Sequence, residues 1–328
     1  MLAGTRPREA SSRGRTWSIA GLGLSCRVRT ALLFNPNAGG GSAGSLADLP
    51  ARLTEALGCP VELRASETAE EMLAAAEALG READVDRVIV AGGDGSVQLC
   101  VHGLARADAL ARVTLGVVPA GTGNDLATFL GIPRELDAAL ACLASGRAAP
   151  LDLGDMNGEW FANASCGGYF GEVSEATSGE LKSVARRFAY VLAGASVLLQ
   201  HTPTAAHLTA DTEFGPLEWE GPLSLFAVCN GMTVGGGRPL APEASVSDGL
   251  FDVFFVRDVT TTGLAGLLLK MGQGTHLEDE RVVGFRARRL AFRFAEPTLV
   301  NVDGEVGTVD RAVYTMHPRA TRILVPST

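Results

Sequence analysis

The sequence predicts a two-part chain: an α/β domain built on a mostly parallel sheet, followed by a β-rich domain of mostly antiparallel strands. Three observations carry this. Across residues 27–150, short apolar runs alternate with segments of helical periodicity, the signature of βαβ units. From about residue 151 onward that rhythm gives way to short alternating or apolar segments bounded by Gly, Pro and Asp. With 46% hydrophobic and 20% charged residues over 328 positions, the chain has enough apolar material for two packed cores.

The elements follow in order. Residues 1–26 are Arg- and Ser-rich with a weak apolar end and read as a disordered arm or an overextended start. Val28 to Phe34 reads as the first strand, followed by the glycine loop "NPNAGGGSAG" and a helix in "LADLPARLTEALG". "CPVELRAS" is the second strand, and "TAEEMLAAAEALGREA" a helix with Thr68 as N-cap. "VIVAGG" is a buried strand, with a helix from about Ser96 to Arg106, the strand "VTLGVVP" and a helix in "ELDAALACLASG" after it. Residues 151–312 form the β-rich domain, with helical insertions at about Glu180 to Gln200 and Thr261 to Gly272. Residues 313–328 are a C-terminal segment whose return to the first domain is left open.

Composition removes several classes of function. The net charge is −9 and no basic stripe is interleaved with aromatics, so nucleic acid is not an expected partner. Six dispersed cysteines without a C-x-x-C suit a reducing cytoplasm, and the five scattered histidines offer no zinc spacing. The longest apolar stretch, Phe188 to Leu199, is shorter than the ~18 to 20 residues that span a bilayer.

Ligands of open parallel sheets bind beyond the carboxyl ends of the strands. Three glycine-rich loops are placed there: Asn35 to Gly44, Gly92 to Ser96, and Pro119 to Ala127. Taken singly, each is explained by turn chemistry, Asp94 and Asp125 by helix capping, and Asp303-Gly304 by a hairpin turn. Together they suit phosphate, because glycine lets backbone N–H groups approach an anion at a helix N-terminus. Phosphoryl transfer further needs carboxylates for a cation and for the attacking hydroxyl, and Asp94, Asp125, Asp303 and Glu305 are the candidates. The cleft between two domains is the expected location.

"NPNAGG", "GGDGS", "PAGTGNDLA", "LDLGDMNG", "NGMTVGGGRPLAPEASVSDGLFDV" and "VDGE" occur in this order, and with them the chain resembles the diacylglycerol kinase catalytic-domain family of bacterial lipid kinases, related to sphingosine and ceramide kinases. The resemblance covers about Arg29 to Pro326. It implies a nucleotide domain similar to those of NAD kinases and phosphofructokinases, a β-rich lipid-substrate domain, an active site in the interdomain cleft, and ATP and Mg²⁺ as cofactors. Nucleotide contacts are implied at Asn35, at Ser66 in place of a threonine, in the loop Gly92, Gly93, Asp94, Gly95 and Ser96, and at Gly121, Thr122, Asn124 and Asp125. Asp125 would support the metal network.

The same resemblance implies that Glu305 accepts the proton of the substrate hydroxyl, with Asp303 beside it and Asp94 facing the nucleotide. Burial in the cleft would have to raise the basicity of Glu305. A structural Mg²⁺ in the second domain is implied at Asp248, with carbonyls of Ser245 and Leu250. The chain departs from the family pattern at Ser96, Gln98, Leu99 and Thr128. A membrane lipid is the implied substrate, reached by peripheral and reversible membrane association; Lys182, Arg186 and Arg187 before an apolar helix are compatible with docking on anionic lipid and equally with the solvated basic end of a buried helix. A homodimer is left open. The alternatives are a soluble NAD kinase-like phosphotransferase and a non-catalytic nucleotide- or lipid-binding regulator; the acidic residues and the run Gly235 to Gly237 favour the lipid kinase.

Overall fold

The computed structural model describes residues 17–18, 25–26, 28–34, 48–177 and 194–327. Four parallel strands form the first sheet: β1 (Thr30–Phe34), β2 (Val61–Ala65), β3 (Arg87–Gly92) and β4 (Thr114–Pro119), in the order β2-β1-β3-β4. β1 and β3 are buried almost throughout because helices cover both faces, which is why their sequences are continuous apolar runs. The helices are α1 (Leu49–Leu57), α2 (Ala69–Arg81), α3 (Asp94–Arg106), α4 (Asp125–Phe129) and α5 (Leu136–Ser145). Thr68 caps α2, its Oγ1 accepting from the Glu71 N–H at 3.2 Å while Glu71 Oε2 accepts from the Glu67 N–H at 2.8 Å.

The second half is built from β5 (Arg147–Met156), β6 (Glu159–Phe161), β7 (Ala164–Gly168), α6 (Tyr169–Ala176), β8 (Thr204–Thr212), β9 (Gly215–Cys229), β10 (Phe251–Arg257), α7 (Thr261–Gln273), β11 (Val282–Val302) and β12 (Glu305–Val325). These strands pair with one another antiparallel. β8 pairs with both β9 and β11, and β10 lies between β9 and β11, so the four close into a ring. The first half of β9 alternates between exposed and half-buried residues, and its second half, Leu223 to Cys229, is buried without interruption. Inside the ring Phe226 stacks on Phe292 at 4.3 Å and on Phe294 at 5.8 Å.

The end of β12 leaves the β-rich half and joins the parallel sheet: Arg322 and Ile323 pair in parallel with Thr114 and Leu115 of β4. Among the described residues this produces one sheet of 12 strands. β12 is irregular on the way, with a register shift against β5 between His317 and Thr321 and a positive φ of 51° at Arg319.

Two expected element starts change. The first strand starts at Thr30 instead of Val28, and α3 starts at Asp94, not Ser96, because Gly93 serves as its N-cap. Of the expected helix at residues 180–200, only 194–200 are described, and they are helical. Lys182, Arg186 and Arg187 lie outside the described residues. No described helix is long and apolar enough to cross a membrane.

Candidate active site

β3 ends against the 13-residue helix α3, whose first residue is Asp94. The first-turn N–H groups of a helix have no intrahelical acceptor and carry the positive end of its dipole, so this terminus is suited to an anion. Beside it lies the loop 119–125. Asn124 holds that loop in shape from a left-handed conformation of φ 54°. Its Oδ1 accepts from the Gly121 N–H at 3.0 Å, and its Nδ2 donates to the Gly121 carbonyl at 2.7 Å.

The two loops touch backbone to backbone. A Cβ on Gly121 would stand 2.4 Å from the Gly93 Cα, a distance no side chain tolerates. These glycines are therefore required by loop-to-loop packing before any ligand is considered. Asp94 fastens the same contact, its Oδ1 accepting from the Leu126 N–H at 3.2 Å, while its Oδ2 faces Gly123, where a Cβ would come within 2.8 Å.

Asp125, expected to support a metal network, is hydrogen-bonded through both oxygens to the glycine hairpin. Its Oδ1 accepts from Thr233 Oγ1 at 3.0 Å and from the Gly237 N–H at 2.7 Å, and its Oδ2 accepts from the Gly236 N–H at 2.9 Å. Three donors occupy most of the about four acceptor positions of a carboxylate. Asp125 is 5% exposed, and a carboxylate so buried requires such donors. It is a fastener between the α/β domain and the glycine hairpin, in which Gly235, Gly236 and Gly237 have φ of 61°, 88° and 94°.

Asp303 and Gly304 form the tight turn between β11 and β12, with φ of 48° and 112°. The Asp303 carboxylate folds back onto three consecutive N–H groups: Ala162 at 2.7 Å, Asn163 at 3.1 and 3.2 Å, and Ala164 at 2.9 Å. Burial pushes its pKa up to about 6, the three N–H bonds pull it down, and the Asp94 charge pushes it further up. Asp303, expected among the catalytic groups, anchors the segment 162–164. Glu305, the first residue of β12, is exposed, so the burial expected to raise its basicity is not there.

Two contributors were not reached as site residues from sequence. Asn163 donates from Nδ2 to Asp94 Oδ1 at 3.4 Å, and its backbone N–H serves Asp303, so it links the two acids. Gln98, one turn after Asp94 on α3, donates from Nε2 to the Val302 carbonyl at 3.0 Å, just before the Asp303 turn. The signal for Gln98 was its i, i+4 spacing from Asp94; that for Asn163 was a polar residue inside the apolar "WFANASC". Ser66, after β2, is buried and its hydroxyl finds no partner among the described residues. Gly95 and Thr122 are exposed, Ser96 is half-buried with its Oγ under Gly92, and Asn35 lies outside the described residues.

The expected second metal site does not fit a cation. Asp248 Oδ2 is ion-paired to the Arg286 guanidinium and its Oδ1 accepts from the Leu250 N–H at 3.1 Å, so the one side-chain ligand of that site already faces a cation. At the first site the chemistry fits: Asp94 keeps one oxygen toward the glycine loops, and Mg²⁺ takes one or two carboxylates plus phosphates.

Glycine loops at a helix N-terminus, flanked by acids from both halves of the chain, define a phosphotransferase. Residues 29–156 match the diacylglycerol kinase catalytic domain, and residues 166–325 match the YegS C-terminal NAD kinase beta sandwich-like domain. The chain is 36% identical to the diacylglycerol kinase of Bacillus subtilis over 71% of this chain and 75% of that protein. It is 34% identical to a YegS-like lipid kinase of Pseudomonas aeruginosa over 73% of this chain and 76% of that one. A crystal structure of a diacylglycerol kinase from Bacillus anthracis superposes with a TM-score of 0.69 at 21% identity, covering 90% of this chain and 96% of the other. The chain belongs to the diacylglycerol kinase catalytic-domain family and is a lipid kinase.

Two outcomes follow. Gly121→Ala, forced against the Gly93 backbone, abolishes activity and lowers the melting temperature; Gly95→Ala, which meets nothing within 4 Å, leaves the fold intact. Calorimetry of both variants checks this. For Asp303, the folded pKa of about 6 exceeds the ordinary 3.8, so the folded chain keeps a proton that the unfolded chain releases between those values. Its contribution therefore falls as pH rises from 3.8 to about 6, by on the order of 2 kcal/mol. Urea titrations at intervals across that window should show the fall in the parent chain and a flatter profile in Asp303→Asn.

Proposed function

We propose that this lipid kinase transfers the γ-phosphoryl group of ATP, with Mg²⁺, to a hydroxyl of diacylglycerol or a related lipid. The observation that carries the reading is the Asp94 carboxylate at the N-terminus of α3, between two glycine loops and linked through Asn163 to the Asp303-Gly304-Glu305 hairpin. The names of the relatives favour diacylglycerol as the acceptor class.

In this reading the α3 N–H groups and the Pro119 to Ala127 loop receive the nucleotide phosphates, and Ser66, whose hydroxyl has no partner among the described residues, contributes a further donor. Bound Mg²⁺ would supply charge neutralisation of the phosphates, with Asp94 as the protein carboxylate best placed to hold it. The lipid hydroxyl oxygen attacks the γ-phosphorus, the bond to the bridging oxygen breaks, ADP departs, and the hydroxyl proton passes to Glu305. Asn163 keeps Asp94 aimed, and Asp303 fixes the turn that delivers Glu305. Access to the acceptor is by peripheral, reversible membrane association, for which Leu199 at 79% exposure and Leu269 at 72% are suited.

The test is transfer of labelled γ-phosphate from ATP with Mg²⁺ to diacylglycerol, monoacylglycerol, sphingoid base and phosphatidylglycerol in mixed micelles, and to NAD. Labelling of one lipid class is expected, with Asp94→Asn and Glu305→Gln each reduced about 100-fold or more. Labelling of NAD alone would replace this reading with a soluble phosphotransferase.

A further inference from the structure

We propose that Arg286 is a built-in cation at the loop 245–250, and that the β-rich domain holds this loop without a divalent ion. β10 and β11 are registered so that Asp252 stands directly across from Arg286. From that fixed position the guanidinium pairs with Asp248 Oδ2 through Nη2 and approaches Asp252 Oδ1 through Nε at 3.7 Å. One side chain thus serves the loop aspartate and the strand aspartate together. Arg suits this, because its planar fork presents several donors and stays charged at every working pH.

The rest of the loop is also held by protein groups. The buried Asp152 carboxylate accepts from the Gly249 N–H at 2.6 Å and from the Arg319 N–H at 2.6 Å, and the Asp152 N–H donates to the Val246 carbonyl at 2.7 Å. Gly249 has a φ of 78°, the turn that brings its N–H onto Asp152. The acids facing Asp252 are Asp248, Glu243 and Glu213, with Arg286 as the opposing charge. The local excess of negative charge is what a resident cation must answer, and the strand supplies one covalently. A divalent ion at Asp248 would have to sit beside this guanidinium or displace it.

Thermal unfolding of the full chain, stripped with EDTA and free of nucleotide, separates this role from any cation carried by ATP. The melting temperature is expected to be the same in EDTA and in millimolar MgCl₂, and Arg286→Met is expected to lower it by about 3 °C or more in both. A rise in the parent chain on adding MgCl₂ that Asp248→Asn abolishes would overturn the proposal, as would an Arg286→Met chain as stable as its parent. If Arg286→Met does not fold, the parent and Asp248→Asn comparison decides alone. The measurement needs no phosphoryl acceptor, so it stands or falls apart from the choice of substrate.

Discussion

The structure depends on the pairing of Arg322 and Ile323 with Thr114 and Leu115, which joins the last strand of the β-rich half to the parallel sheet. β12 begins at Glu305 and ends in that pairing, so a single run of backbone connects the DGE turn to the edge of the parallel sheet. Backbone hydrogen bonds cannot be left unmade inside a protein without a cost of about 1 to 3 kcal/mol each. The turn and the glycine loops are therefore placed by the same ladder, from opposite ends.

Around that frame the acids divide into two kinds. Asp125, Asp152 and Asp303 spend their oxygens on backbone N–H groups, from Gly236 and Gly237, from Gly249 and Arg319, and from residues 162–164. Each holds an irregular segment whose donors would otherwise be buried unpaired. Asp94 and Glu305 are different: one oxygen of Asp94 looks toward the loops, and Glu305 is open to solvent. Residue type alone does not separate these groups; Asp125, Asp152 and Asp303 accept hydrogen bonds on both carboxylate oxygens, whereas the bonds to Asp94 fall on Oδ1 alone.

The architecture was legible because its signals are local. Continuous apolar runs in β1 and β3 report burial on two faces, and Thr68 with Glu71 announces α2 within four residues. The acidic positions were legible as well, but their duties were not. Asp125 takes its partners more than 100 residues downstream, and Asp303 takes its own about 140 residues upstream, distances over which spacing carries no information. Arg286 sits in "GFRARRL", where alternating basic residues read as a solvated strand face, and only the strand register sets it against Asp252.

The closed ring of β8, β9, β10 and β11 bears on how copies of the chain meet. A strand hydrogen-bonded on both sides offers no template for another chain, so β8 and β10, each paired along most of its length with two neighbours, cannot recruit another by strand addition. At the opposite end of the sheet β2 has one side unpaired among the described residues, and it carries Glu62 and Arg64, which are tied by ion pairs to Arg29 and Glu82. Charged residues on an edge strand disfavour pairing with another edge. Two means thus limit growth of the long sheet: pairing on both sides of β8 and β10 in the ring, and charge on β2.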